Sequence, residues 1–140
     1  MSTLSVATIK SASSDVAPVF QDTDGREIIQ GATAWVNFDG THGTSPFTES
    51  NGGIRDSFNV TSVTDDATGK HTINFENDMA NTNYCPIQYN NAYGNDSTFS
   101  NNYTGYFKLA TDTLEVRSYA EASVGYVDSF YYFVVVFGGI

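Results

Sequence analysis

The 140-residue chain has little with which to do charge chemistry. Only 16% of its residues are charged, and six bases stand against sixteen acids, for a formal charge of −10. Proteins that hold nucleic acid neutralise its phosphates with Lys and Arg, so that ligand is excluded. Anionic membrane surfaces are disfavoured for the same reason, and the surplus charge serves to keep an aromatic-rich chain in solution. Cysteine occurs once, at Cys85, which excludes an intrachain disulfide and any Cys-x-x-Cys metal or redox chemistry. A lone thiol of this kind reads as a small, semi-buried hydrophobe. The apolar run Phe130 to Phe137 is far too short to cross a bilayer as a helix, so no membrane insertion is expected. The start, Met1-Ser2-Thr3-Leu4-Ser5, has neither a basic n-region nor an apolar stretch behind it, so synthesis without an export signal is expected.

Thr, Asn, Ser, Gly and aromatics are abundant instead, with nine Tyr and ten Phe. The surface must then be neutral-polar, built from hydroxyls and amides, which suits display and sugar contact. Residues 1–30 read as an extended arm: Leu4, Val6 and Ile9 give a short apolar pattern, and Gln21-Asp22-Thr23-Asp24-Gly25 is a turn signal. Such an arm buries little alone and gains order from a partner. Residues 31–140 read as one all-β domain, an antiparallel β-sandwich of jelly-roll-like type. Ala34 to Thr41 and Ile54 to Val60 are strand-like, and Phe58, Val60 and Ser62 alternate until Val63 falls out of step, as at a bulge or a strand end. With His71 to Phe75 across the turn at Asp65-Asp66-Ala67-Thr68-Gly69, this predicts a hairpin over about 57–76. Asn83 to Tyr89 predicts a further strand, and Tyr103 to Leu109 with Thr113 to Tyr119 another hairpin. Helical periodicity is nearly absent.

Phe130 to Phe137 is apolar at every position, whereas a strand with one wet face alternates. Both faces must be covered, which predicts a homotrimer with Phe130, Tyr132, Val134, Val135 and Val136 at the subunit interface. Trp35, between Ala34 and Val36, reads as a core anchor.

Candidate chemistry is sparse. Asp22-x-Asp24-Gly25 fails the calcium-loop pattern, since the first ligand would fall on Phe20 and the closing Glu on Gly31. His42 and His71 lack a partner at metal-ligand spacing and read as surface histidines. No metal or other cofactor is expected. Asp65 and Asp66 with Glu76, Asp78 or Glu115 offer a carboxylate pair only in principle, and no G-x-S-x-G elbow is present. The expectation is a non-enzymatic protein. The best ligand-binding candidate is the cluster Tyr84, Gln88, Tyr89, Asn90, Asn91, Tyr93, Asn95, Phe99, Asn101, Asn102 and Tyr103, since Tyr and Asn pair stiff contact area with adaptable hydrogen bonds. The long connection Thr41 to Gly53, carrying His42 and Phe47, is the second. Loops with no bases favour a host-surface neutral glycan or a protein loop over phosphorylated targets.

Ala34-Trp35-Val36-Asn37-Phe38-Asp39-Gly40-Thr41, Ile54 to Asp65, Gly69 to Phe75 and Met79 to Tyr84 together carry a resemblance. In that order they resemble a family of small tail-fibre-type structural proteins of mainly aquatic bacteriophages. Ser2 to Ile9 and Val134 to Gly138 are similar more weakly. The chain departs from the family pattern at His42 to Gly53, which is inserted, and at Pro86 to Thr104. The resemblance implies a virion protein with other virion proteins of tail or capsid as partners, first a tail-fibre or fibre-tip protein that itself binds the host surface. A capsid decoration protein is the alternative and a carbohydrate-binding module the third. No catalytic residue comes with it.

Overall fold

The structure, a computed structural model, describes residues 31–91, 108–119 and 125–139, with the backbone pairing of 20–21, 27–29 and 103–104. The chain divides into two units, Met1–Gly31 and Ala32–Ile140. In the first, β1 (Phe20–Gln21) pairs antiparallel with β2 (Glu27–Ile29).

The second unit is all-β, with no helix among the described residues. In chain order its strands are β3 (Ala34–Phe38), β4 (Ile54–Phe58), β5 (Val60–Ala67), β6 (Lys70–Phe75), β7 (Tyr84–Asn91), β8 (Tyr103–Thr104), β9 (Lys108–Leu109), β10 (Thr113–Tyr119) and β11 (Tyr131–Gly138). They form two antiparallel sheets, β5-β6-β10-β8 with β9 also on β10, and β4-β3-β11-β7. Val63, Ile73, Leu114 and Val116 of the first sheet share one buried core with Val36, Phe38, Tyr132, Val134 and Val136 of the second. Burial alternates along β3, β6 and β10, the period of two that their sequences display.

The expected hairpin is shorter than its pattern. Asn59, at φ 55°, is a corner that carries the chain from β4 in one sheet to β5 in the other. Asparagine tolerates this left-handed backbone, and its side chain fixes the corner: Nδ2 donates to Thr33 O (3.1 Å) and Asn77 O (3.1 Å), and Oδ1 accepts from Asn77 N (2.7 Å). Phe58 therefore ends one sheet, while Val60 begins the other and is buried. The bulge does occur, as a register shift between Val60 and Ser62. At the far end of the hairpin, Gly69 has φ +66°, and a Cβ there would collide with Ser118 O and the Val127 backbone.

Strand β11 corrects a sequence expectation. It lies between β3 and β7, and its faces diverge. Tyr132, Val134 and Val136 are at most 1% exposed and belong to the monomer's own core, so they are not subunit-interface residues. Trp35 is likewise corrected, since it is only partly buried and its in-register partners are Phe58 and Val135, both outside the core.

Phe38 tests the core. Its ring is fully buried and stacks on Tyr132 at 4.5 Å and 6°. Phe38→Ala is expected to cost about 3–5 kcal/mol in urea unfolding; a loss under about 1 kcal/mol would place the ring outside the core.

Candidate functional site

Two places in the domain hold side chains in arrangements that strand packing does not itself require. The first is the outer face of the β4-β3-β11-β7 sheet. Register places Phe58, Trp35, Val135 and Ile87 in one row across all four strands, with Phe133 beside Tyr89 in the next. Phe58 is 53% exposed, Ile87 57%, Tyr89 57% and Phe133 40%. The rings continue down the face: Tyr89 lies 6.2 Å from Phe133, which stacks on Tyr131 at 6.0 Å. Arg55 closes the series, its guanidinium 4.5 Å from the Tyr131 ring centroid and 4.8 Å from that of Phe130. It also donates to Phe130 O at 2.8 Å and pairs with Asp39 at 3.5 Å. Cys85, in register with Phe137, is exposed and not semi-buried.

Strand β7 explains why this face is apolar. Of its even-numbered residues, Tyr84, Gln88 and Asn90 carry polar groups to the other sheet where a core strand is normally apolar, Pro86 being the exception. Tyr84 Oη donates to Ala110 O (2.9 Å), Gln88 Nε2 to Arg117 O (3.1 Å), and Asn90 Nδ2 to Ser118 Oγ and to Ser129 Oγ (2.9 Å). The odd-numbered Cys85, Ile87 and Tyr89 face outward. This inversion of the usual pattern is a signal the sequence carries and that the loop-based reading passed over.

The candidate ligand residues disperse. Asn90 is buried and occupied with stapling the sheets, so it is not a surface contact. Phe47 is also corrected: it is wholly buried, and its backbone bridges to Val63 (N to O 2.7 Å, with 3.0 Å in return). His42 is partly buried, meeting the Phe47 ring at 5.6 Å, with Nε2 2.9 Å from Asn51 O. Asn51 accepts from Thr48 N (2.9 Å) and Gly53 N (3.0 Å) and donates to Pro46 O (2.9 Å). Residues 41–53 are thus a stitched loop with an exposed tip at 43–46. Tyr93, Asn95 and Phe99 lie outside the described residues. Tyr103 is described only as the β8 backbone partner of Tyr119. A cleft of about 400 Å³, lined by Glu49, Ser57, Phe58, Asn59, Val60, Thr61 and Glu76, opens beside the β4–β5 corner.

The second place is one rim of the sandwich, around His71. This residue is 0% exposed and so is not a surface histidine. Its ring is enclosed by Phe38 (5.3 Å), Phe47 (5.7 Å) and Tyr132 (4.9 Å). Nε2 is 3.3 Å from Gly40 O and 4.0 Å from Asp128 Oδ1, while Nδ1 is buried without a hydrogen-bond partner. Burial holds the imidazole below its ordinary pKa of 6.5, against the opposing pull of Asp128, Asp65 and Asp66. Burial also pushes the neighbouring Tyr132 phenol up to about 12. The segment before β11 organises this rim: Asp128 Oδ1 accepts from Gly69 N (2.6 Å), and Ser129 O accepts from Gly40 N (2.9 Å).

A depressed His71 pKa has a defined consequence. As pH falls below 6.5 the unfolded chain takes up the proton first, so the stability owed to neutral His71 is full above that pH and is lost as pH falls toward the folded value. The urea midpoint is expected to drop as the pH falls below 6.5, and more steeply than in a folded His71→Gln variant. Equal slopes in the two proteins would assign the acid loss to another group.

Comparisons with protein-family models, with curated proteins and with solved structures give no match.

Proposed function

We propose that this chain is a non-enzymatic structural protein of a bacterial virus, a tail-fibre or fibre-tip protein that assembles as a homotrimer and contacts the host surface. The observation that carries the assembly is the outer face of the β4-β3-β11-β7 sheet. Phe58, Trp35, Val135, Ile87, Phe133, Tyr89, Tyr131 and Phe137 together leave an apolar area of about 600 Å² in water, taking each aromatic as roughly 150–250 Å² in all. Monomers seldom expose more than a few hundred Å² contiguously, and a standard interface takes about 800 Å² from each partner. Three such faces turned toward a common axis bury one another under closed symmetry. Charge stays at one end of the face, with Arg55 and Asp56, so no ion has to be desolvated at its centre.

The virion assignment is supported by the resemblance over residues 34–84 and by the charge-poor, hydroxyl- and amide-rich composition. The stitched loop at 41–53 supports host contact, because a loop held by its own hydrogen bonds loses little entropy on binding. The arm at 1–30 is assigned to docking on other virion proteins.

Light scattering is expected to give three times the 15.2 kDa chain mass, and Phe133→Asp or Val135→Asp to release folded monomer. Cys85, on the same face, is expected to react faster with a thiol reagent in those variants than in the parent. A monodisperse parent monomer would overturn the assembly. For the virion role, deleting residues 2–20 is expected to remove β1, spare the two sheets of the β domain and abolish incorporation into particles. Electron microscopy of labelled particles locates the protein: label at the tail tip supports the fibre, while label over the capsid shell replaces it with the decoration protein.

A further inference from the structure

His71 is sealed into the rim with one ring nitrogen unanswered. A carbonyl oxygen only accepts, so the contact of Nε2 with Gly40 O at 3.3 Å sets the proton of the neutral ring on Nε2. A second proton has to enter at Nδ1, which is buried and has no hydrogen-bond partner. We infer that His71 works an acid-triggered latch: charging its ring expels Phe47 from the rim and frees the segment 41–48, while the two sheets stay closed.

The cost of a trapped proton favours the opening. A buried donor that carries charge and meets no acceptor is strongly disfavoured until water reaches it. Three rings bar that water: Phe38 at 5.3 Å, Tyr132 at 4.9 Å and Phe47 at 5.7 Å. Phe38 lies on β3 and Tyr132 on β11, both paired along two edges, so displacing either ring's strand breaks a sheet. Phe47 comes from a loop. Its segment is held to β5 by two backbone bonds with Val63 (2.7 and 3.0 Å) and by Asp65 N donating to Ser45 Oγ (3.1 Å). Ile54 N donates to Thr48 O at 3.1 Å and marks where the freed part ends. Segments held by few bonds open locally at much less cost than global unfolding.

The charged groups around the ring do not oppose this. Asp65 and Asp66 on β5 and Asp128 before β11 all attract an imidazolium, and burial outweighs them while the rim is closed. Opening removes the burial and leaves the carboxylates in place. On β11, Tyr132 stays a neutral phenol, with its pKa pushed up to about 12. Lys70, beside His71 in β6, is turned to the Tyr126 ring at 4.8 Å. His42 is the other imidazole against Phe47, at 5.6 Å. Opening takes up one proton at His71, so below pH 6.5 the open population rises by up to about tenfold per pH unit, until the closed ring is protonated too.

The test follows hydrogen exchange in the full chain at single amides, corrected for the intrinsic effect of pH, from neutral pH to the onset of global unfolding. The Phe47, Val63 and Asp65 amides are expected to lose protection by about tenfold or more, while those of β3, β6 and β11 keep theirs. Ring-nitrogen chemical shifts are expected to show His71 taking up its proton over the same range, a readout that needs no variant. A folded His71→Gln protein is expected to stay closed throughout, and His42→Gln to open as the parent does. Unchanged protection in the parent, loss in all strands together, or a His71 ring still neutral as the loop opens would each overturn the latch. So would opening in His71→Gln, or its absence in His42→Gln. The use of the latch in host contact, where acid uncovers Phe47 in the presented loop, rests on the proposed function. Exchange and ring shifts are read without particles or host, so the latch stands or falls separately from that role.

Discussion

Strand β11 is hydrogen-bonded along both edges and apolar on both faces, and the rest of the domain is arranged around that condition. Its inner residues are large, so the facing sheet meets them with Ile73, Leu114 and Val116. Tyr132 stacks on Phe38 and meets the His71 ring at 4.9 Å. Gly40 is a consequence, because a Cβ there would collide with the Tyr132 ring and Ser129 O. The outer residues of the same strand face away from that sheet. Their neighbours Trp35, Phe58, Ile87 and Tyr89 are apolar too, so the face is continuous and not a set of isolated exposed rings.

The two sheets are held together by more than hydrophobic contact. Tyr84, Gln88 and Asn90 reach across from β7 to the backbone or side chains of β10 and its approach. A buried amide or phenol costs several kcal/mol in apolar surroundings unless it is paired, so each of these bonds favours a single relative placement of the sheets. At the rim the same logic gathers His71, Ser118, Asp128 and Ser129 around the segment before β11. His71 Nδ1, Gln88 Oε1, Asn90 Oδ1 and Tyr132 Oη are buried there and along β7 without a hydrogen-bond partner.

Strand existence was largely legible. The alternation in β6 and β10, the turn at Gly69 and the bulge near Val60 all follow from local pattern and turn chemistry, which act over a few residues. What misled was continuity. Phe58 and Val60 read as one strand, because a corner residue such as Asn59 looks like any polar position until its φ is known. The apolar run in β11 signalled that its inner face is covered, and Tyr132, Val134 and Val136 are buried in the monomer's own core, whereas Phe133 on the other face is exposed. An unbroken run does not tell the two faces apart, so Tyr132, Val134 and Val136 were placed at the interface. Asn90 and Phe47 looked like loop-borne contacts because Asn and exposed-loop aromatics usually are; here one staples the sheets and the other plugs the core.

By itself the sequence determined the all-β class and the approximate strands, since these depend on composition and on periodicities of two residues. It also determined that β11 is apolar along its whole length. Tertiary structure alone decided which side of each strand is inside, because that is set by register against partners far along the chain. It decided as well that Asp65, His71 and Asp128 meet, fifty-seven residues separating the last two. No spacing rule reaches across such a distance; only the closing of two sheets over a shared core brings those side chains to one rim.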